Sequence, residues 1–276
     1  MCNAHIDPVW LWEWPEGAGE ALSTFRAAAG FCEERADFIF SHNESLLYRW
    51  TEEYEPALFR RIRALVRRKR WAVLGGWFVQ PDCNMPSGES FVRQILLGKR
   101  YFRKTFGVDV RTAANLDPFG HTRGLVQILA KSGYHSYLFC RPDRAFAVLP
   151  ADDFRWVGYD GSEILATRAE AHYNSQGGGA RAKIEDWLRG NPDRTPSLLL
   201  WGVGNHGGGP SRVHLGQIEQ FAREHPEYEF IHSTPEAFFA QVKRRGGRLP
   251  VVVGEMQNCF CGTYALMRRV KRAHRA

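Results

Sequence analysis

Two short segments place carboxylate and imidazole groups where they could bind a metal ion. His5 and Asp7 lie two residues apart in HIDPVW, so in an extended segment both side chains point to the same side, as chelation of one ion requires. Taken alone, such a pair is more typical of ordinary surface hydrogen bonds. Asp117 in NLDPFGH follows an apolar run, and the Pro-Phe-Gly turn after it directs its carboxylate outward. The alternative for Asp117 is an Asx-turn or a helix N-cap.

A third segment, WGVGNHGGGPSR, adds His206 between glycines, where the backbone can approach a ligand closely. It matches neither the GxxxxGK[ST] nor the GxGxxG phosphate-binding pattern. Two imidazoles and two carboxylates form a mixed nitrogen and oxygen ligand set that suits zinc and leaves a position open for substrate. We therefore predict one zinc ion held by His5, Asp7, Asp117 and His206, with manganese or cobalt as alternative metals.

Apolar runs alternate with helical patterns along the chain, which predicts βαβ units and a parallel sheet. The strand candidates lie within 38–42, 71–79, 112–121, 134–140, 164–170, 197–208 and 228–233. Between them lie the helix candidates 54–70, 89–107, 123–133, 184–190, 214–225 and 235–246. Polar clusters follow several of the strand candidates, as in LFCRPD, and ligands bind at the carboxyl ends of parallel strands in barrels and open sheets alike.

Composition restricts the class of protein. The 276 residues are 44% hydrophobic and 24% charged, which is ordinary for a globular domain. The net charge of +7 comes largely from runs 60–70 and 268–275, which lack the interleaved aromatics of a nucleic-acid surface, so we expect no nucleic-acid partner. No segment is apolar enough to span a membrane, and the six scattered cysteines contain no CxxC pair. We expect reduced thiols and a cytoplasmic location, and the oligomeric state stays open.

Together, HIDPVWLWEWPEG, SHNESLLYRW, GGWFVQPDCNMPSGESFVRQILLGKRYF, NLDPFGHTRGLVQILAKSGY and GNHGGGP resemble the catalytic domain of family 38 glycoside hydrolases, the α-mannosidases. The resemblance covers nearly the whole chain and preserves the order of the motifs. It implies an α/β fold, a (β/α)7-type barrel with parallel strands, over residues 1–253. Residues 254–276 resemble the start of the following helical domain, so we expect a chain truncated at both ends.

The resemblance also implies roles for individual residues. His5, Asp7, Asp117 and His206 would hold one zinc ion, and Asp117 would also be the nucleophile of a retaining α-mannosidase. Trp10 and Phe119 would form walls of the sugar pocket. The substrate would be an α-mannoside or an oligosaccharide.

Two further site residues rest on weaker patterns. Glu170 ends the strand-like run ILATRAE and is our prediction for the general acid/base, with Asp82 and Asp153 as competitors and a solvated surface glutamate as the alternative. Asp82 in FVQPD is predicted to bind sugar hydroxyls, although a turn-capping role fits equally.

Two other functions stay open at this point. A zinc-dependent carbohydrate deacetylase would keep the metal but make Asp117 a ligand without a covalent intermediate. A catalytically silent carbohydrate-binding fragment is the other alternative.

Overall fold

The protein is described here by a computed structural model, which covers residues 1–169, 172–175, 178–191, 196–204, 208–257, 260, 262–265 and 267–275. Its described strands form two sheets. The first is parallel and has the order β1-β2-β3, with β1 at Cys2–Asn3, β2 at Phe40–Glu44 and β3 at Trp71–Trp77. The second has the order β4-β5-β7-β6-β8 and comprises Thr112–Asn115 (β4), Ser136–Phe139 (β5), Asp153–Val157 (β6), Glu163–Arg168 (β7) and Val251–Val252 (β8).

Helices connect most of the parallel strands. The long ones before β5 are α1 (Trp14–Glu34), α2 (Ser45–Tyr54), α3 (Pro56–Arg67), α4 (Gly88–Phe106) and α5 (Gly124–Lys131). The helices after β7, of which α9 is a single turn, are α6 (Ala180–Gly190), α7 (Arg212–Glu224), α8 (Pro235–Arg245), α9 (Gly262–Ala265) and α10 (Arg268–Arg275). None of the helices in the described ranges is long and apolar enough to cross a membrane.

The predicted α/β class with parallel strands is confirmed, but the described strands do not close into a barrel. β6 and β7 are joined by a tight turn, so they pair antiparallel. Side chains of the first sheet link it to β4 of the second. Trp77 Nε1 of β3 donates to the Ala114 carbonyl at 3.0 Å, and Asn43 Nδ2 of β2 lies 3.4 Å from the same oxygen.

Two strand predictions need correction. The run 197–208 forms only isolated bridges in its described part, the first between Trp201 and Cys2. Residues 228–233 form no strand: the segment leads into α8, Ile231 is exposed, and His232 packs against Phe38 and Trp201. Strand β7 matches the predicted run 164–170, whereas β6 and the helices α1 and α2 lay outside the predicted elements.

Local sequence explains how a helix is fixed against the first sheet. The Ser87 side chain caps α4 by accepting from the Ser90 N–H, and Gly107 ends the helix in the left-handed conformation. Phe91, Ile95 and Phe102 form its buried face. Gly98 permits the close approach to β3, because a Cβ there would lie 2.2 Å from the Gly76 carbonyl oxygen.

His121 ties the loop after β4 to the second sheet. Its Nε2 lies 2.6 Å from the Arg141 carbonyl, so Nε2 carries the proton and donates, and Nδ1 accepts from the Tyr137 hydroxyl at 2.7 Å. Its backbone exchanges two hydrogen bonds with Met256. The imidazole is therefore a neutral, buried part of the fold that holds the DPFGH loop in place.

Acid should destabilise the protein partly through His121. Burial lowers the pKa of His121 to about 4 from an ordinary 6.5, so the unfolded chain takes up the proton first and stability is lost as the pH falls from 6.5 toward 4. His121→Gln should reduce the loss of unfolding free energy between about pH 7 and about pH 5 by about 1 to 2 kcal/mol, measured by urea denaturation. His135→Gln at an exposed position is the control and should lose as much as the wild type. An equal loss in His121→Gln would contradict this assignment.

Candidate active site

The candidate active site lies where several strands end. His5 follows β1, Glu44 ends β2, Asp117 follows β4, and Arg141 follows β5. The carboxyl ends of parallel strands present their following loops at one edge, so these side chains meet although they are distant in sequence.

His5, Asp7 and Asp117 lie close together. His5 Nε2 lies 3.3 Å from Asp7 Oδ1 and 3.6 Å from Asp117 Oδ2. Neither ring nitrogen of the buried His5 makes a well-aligned hydrogen bond within the described residues. His206 and Glu170 fall outside the described residues, so the predicted fourth ligand and the predicted acid/base are not placed.

The spacing of this triad fits a shared cation. Ligand atoms about 2.0 to 2.1 Å from one tetrahedral zinc ion are separated by about 3.3 Å, close to both distances from His5 Nε2. The triad is incomplete, however, since no group of three or more His, Cys, Asp or Glu side chains in the described ranges is arranged to hold a metal unaided. The imidazole and both carboxylates suit zinc chemically, and a further ligand is required.

Burial shifts the pKa values of the ionisable side chains in this cluster. Burial raises the pKa of Asp117, and the charges of His5 and Arg141 oppose that rise. Burial lowers the pKa of His5, but the contact with Asp7 and the charges of Asp117, Asp7 and Glu44 outweigh it, so the pKa is raised. Burial also raises the pKa of Glu44 to about 7. Carboxylates withdrawn from water in this way favour a bound cation.

Arg141 supplies part of that positive charge. Its Nη1 lies 2.6 Å from Asp117 Oδ1, so the two oxygens of Asp117 face different partners, Arg141 on one side and His5 on the other. Arg141 Nε lies 3.1 Å from His172 Nε2, which fixes the guanidinium from the opposite direction. The sequence signalled this position only as part of LFCRPD, a polar cluster after a strand.

Tyr173 is a third partner of the Asp117 carboxylate, besides His5 and Arg141. Its hydroxyl hydrogen-bonds to Asp117, which lowers the pKa of that carboxyl, and its ring centroid lies 5.0 Å from that of His5. Gly204, in the predicted glycine-rich loop, packs on the ring, where a Cβ would lie 2.4 Å from Cε2. No sequence pattern indicated Tyr173, because its role depends on a contact between segments far apart in the chain.

Gln80 connects the ends of the two sheets beneath the site. Its backbone N–H donates to Glu44 Oε1 at 3.0 Å, and its side-chain oxygen accepts from the Leu116 N–H at 2.8 Å. Asn43 Nδ2 donates to the same oxygen at 3.1 Å. The residue before Asp117 is thereby fixed to the end of β2. Glu44 and Gln80 were not among the predicted site residues.

The three predicted substrate contacts have different surroundings. Trp10 is 56% exposed and meets Trp12 edge-on, with ring centroids 5.4 Å apart. Phe119 is half-buried, 5.2 Å from the ring of Phe260. Asp82 accepts the backbone N–H groups of residues 84 and 85 through Oδ1, both at 2.8 Å, which is the turn-capping arrangement. Trp10 and Phe119 thus present aromatic surface, whereas Asp82 has a structural role whether or not it also meets a sugar.

Comparison with known proteins agrees with these features. The sequence matches the family described as Glycosyl hydrolases family 38 N-terminal domain over residues 1–255. It is 32% identical over 279 residues to Alpha-mannosidase G of Dictyostelium discoideum, covering 99% of this chain and 26% of that protein. It is 28% identical over 284 residues to Alpha-mannosidase 2C1 of Mus musculus, covering 100% of this chain and 27% of that protein.

A solved structure supports the fold. The crystal structure of an alpha-mannosidase from Enterococcus faecalis V583 superposes with a TM-score of 0.79 at 20% identity, covering 93% of this chain and 30% of that one. The chain spans about a quarter of the length of the two curated relatives. The resemblance seen in the motifs is confirmed, and the chain belongs to the glycoside hydrolases of family 38.

Proposed function

We propose that this chain carries the catalytic residues of a retaining, zinc-dependent α-mannosidase. The observation that carries the proposal is the convergence of His5, Asp7 and Asp117, with Asp117 paired to Arg141. The curated relatives named above are α-mannosidases, which supports the substrate class. We expect the substrate to be a terminal α-mannoside, free or at the end of an oligosaccharide.

His5, Asp7, Asp117 and His206 would hold the zinc ion. When bound, zinc supplies a Lewis acid that binds and orients sugar hydroxyls. Asp117 Oδ2 faces His5, while Oδ1 is paired with Arg141. The metal would therefore occupy the side of the carboxylate that Arg141 leaves open.

Asp117 acts as the nucleophile in this proposal. One carboxylate oxygen attacks the anomeric carbon, the bond to the leaving oxygen breaks with its electron pair, and an ester joins the sugar to Asp117. Water then adds to the same carbon, the ester bond breaks, and mannose leaves as the carboxylate is restored. Arg141 and Tyr173 favour the ionised carboxylate that this attack requires, because both lower its pKa.

Glu170 is the proposed acid/base. It would donate a proton to the leaving oxygen in the first step and remove one from water in the second. The two competing carboxylates have other partners: Asp82 caps a turn, and the buried Asp153 accepts from Thr167 Oγ1 at 2.8 Å. Trp10 and Phe119 are proposed to stack on the sugar.

Two features outside the site belong to the same proposal. We assign residues 1–253 to the catalytic domain and 254–276, which include the exposed α10, to the start of the following helical domain. We also propose a cytoplasmic location, supported by the four described cysteines, which are free and buried.

Replacing the nucleophile should abolish turnover. Asp117→Asn keeps the size of the side chain but removes the attacking charge, and we expect kcat on an activated aryl α-mannoside to fall by about 1,000-fold or more. Asp109→Asn, which alters a partly exposed carboxylate at the end of α4, is the control and should keep wild-type activity. Full activity in Asp117→Asn would refute the nucleophile assignment, and metal-dependent acetate release from an acetylated sugar would favour the deacetylase.

Zinc binding should depend on His5 and Asp7. Plasma mass spectrometry of the zinc-loaded protein should find one zinc per chain, and His5→Ala or Asp7→Ala should weaken zinc binding at least about 10-fold in a competition titration. His135→Ala, which removes an exposed imidazole, should bind zinc as the wild type does. Unchanged zinc affinity in both site variants would show that the triad is not the metal site.

A further inference from the structure

Lys183 lies in α6 and directs its ammonium group into the protein, toward the loop that carries Tyr173. Nζ donates to the carbonyl of His172 at 2.6 Å and lies 3.3 Å from the carbonyl of Asn174. The residue as a whole is partly buried, but the surroundings of the ammonium lower its pKa to about 8, and burial is the main cause. In the described part of the chain, no carboxylate pairs with it within 4.0 Å. A buried ammonium held by carbonyl groups is costly, because uncharged acceptors only partly replace hydration.

The two carbonyls that bind Lys183 flank Tyr173 on either side. The ammonium thus holds the peptide group directly before Tyr173, whose hydroxyl bonds to Asp117, and the peptide group that follows Asn174. Tyr173 is buried between this contact, His5 and Gly204. A shift of the backbone here would move the hydroxyl away from the carboxylate.

The loop requires such a restraint. His172 has φ of 60°, a left-handed conformation that disfavours side chains other than glycine. Beyond Tyr173, Ser175 is anchored by its N–H, which donates to the Gly202 carbonyl at 2.8 Å. Arg141 contacts the His172 ring, but Lys183 binds the strained peptide itself.

We propose that Lys183 is a positioning residue for the glycosidase reaction, which keeps the Tyr173 hydroxyl on Asp117 by binding the carbonyls of His172 and Asn174. This inference rests on the proposed role of Asp117. Lys183 itself touches neither the substrate nor the reacting atoms in this account.

A double-mutant cycle tests the proposal. Lys183→Met should lower kcat on an aryl α-mannoside about 10- to 100-fold with little change in KM, because the loss falls on the alignment of Asp117. In a Tyr173→Phe background, which lacks the hydroxyl, the same substitution should lower kcat less than about 3-fold. Lys183→Arg, which keeps a cationic donor, should recover part of the activity. Zinc affinity, a readout independent of turnover, should behave in the same way: Lys183→Met should weaken it less in the Tyr173→Phe background than in the wild type.

Lys99→Met is the matched control. Lys99 is also a partly buried lysine that binds a loop carbonyl, with Nζ 3.0 Å from the Ser132 oxygen, but that loop does not reach the site. This variant should lose stability without losing kcat or zinc affinity.

The outcomes separate this inference from the proposed function. If Lys183→Met lowers kcat and zinc affinity by the same factor with and without the Tyr173 hydroxyl, the two effects are independent. That result would show a merely structural lysine and overturn the inference. A failure of Lys183→Met to fold would move the cycle to Lys183→Gln, judged by the same criterion. An inactive Asp117→Asn beside a fully active Lys183→Met would refute the positioning role alone, whereas an active Asp117→Asn would refute the proposed function.

Discussion

The burial of His5 and Asp117 beside the partly exposed Asp7 is the constraint on which the candidate site depends. Two carboxylates face one imidazole in this partly buried site, and burial raises the pKa of the neighbouring Glu44 to about 7. Burial raises the pKa of Asp117, so the carboxylate keeps its charge only where cations and hydrogen-bond donors face it. Arg141 and Tyr173 meet part of that requirement, and a divalent ion on the His5 side would meet the remainder.

The fold brings these groups together through the ends of strands from both sheets. Hydrogen bonds through Gln80 fix the end of β2 beside the chain that follows β4, and His121 fixes the loop beyond Asp117 to the Arg141 carbonyl. These hydrogen bonds hold the chain on both sides of Asp117. This arrangement holds the Asp117 carboxylate in a rigid setting, as the proposed nucleophile requires.

The sequence alone singled out those candidate residues that are recognisable from their neighbours in the chain. Asp117 stood out because an apolar strand precedes it and a Pro-Phe-Gly turn follows, and the spacing of His5 and Asp7 fits an extended segment that chelates one ion. The alternation of apolar and helical runs gave the α/β class and most of the strands correctly. These features depend on residues close together in the chain, which a sequence displays directly.

The features that the sequence did not predict depend on contacts between residues far apart in the chain. Arg141 and Tyr173 acquire their roles only because separate loops meet at Asp117, and Glu44 is unusual only because it is buried. Strand β6, which the alternating pattern did not predict, pairs antiparallel with β7, and the segment 228–233, predicted as a strand, forms none and is only partly buried. Periodicity records which residues are apolar, but not which surface buries them.

The metal site is the central claim, and anomalous diffraction from crystals of the zinc-loaded protein tests it most directly. The account predicts a single anomalous peak at the zinc edge, within about 2.0 to 2.2 Å of His5 Nε2, one oxygen each of Asp7 and Asp117, and a nitrogen of His206. It also predicts that Arg141 stays on the other oxygen of Asp117. Zinc bound elsewhere, or a fully zinc-loaded protein in which these side chains make no contact with the ion, would contradict it.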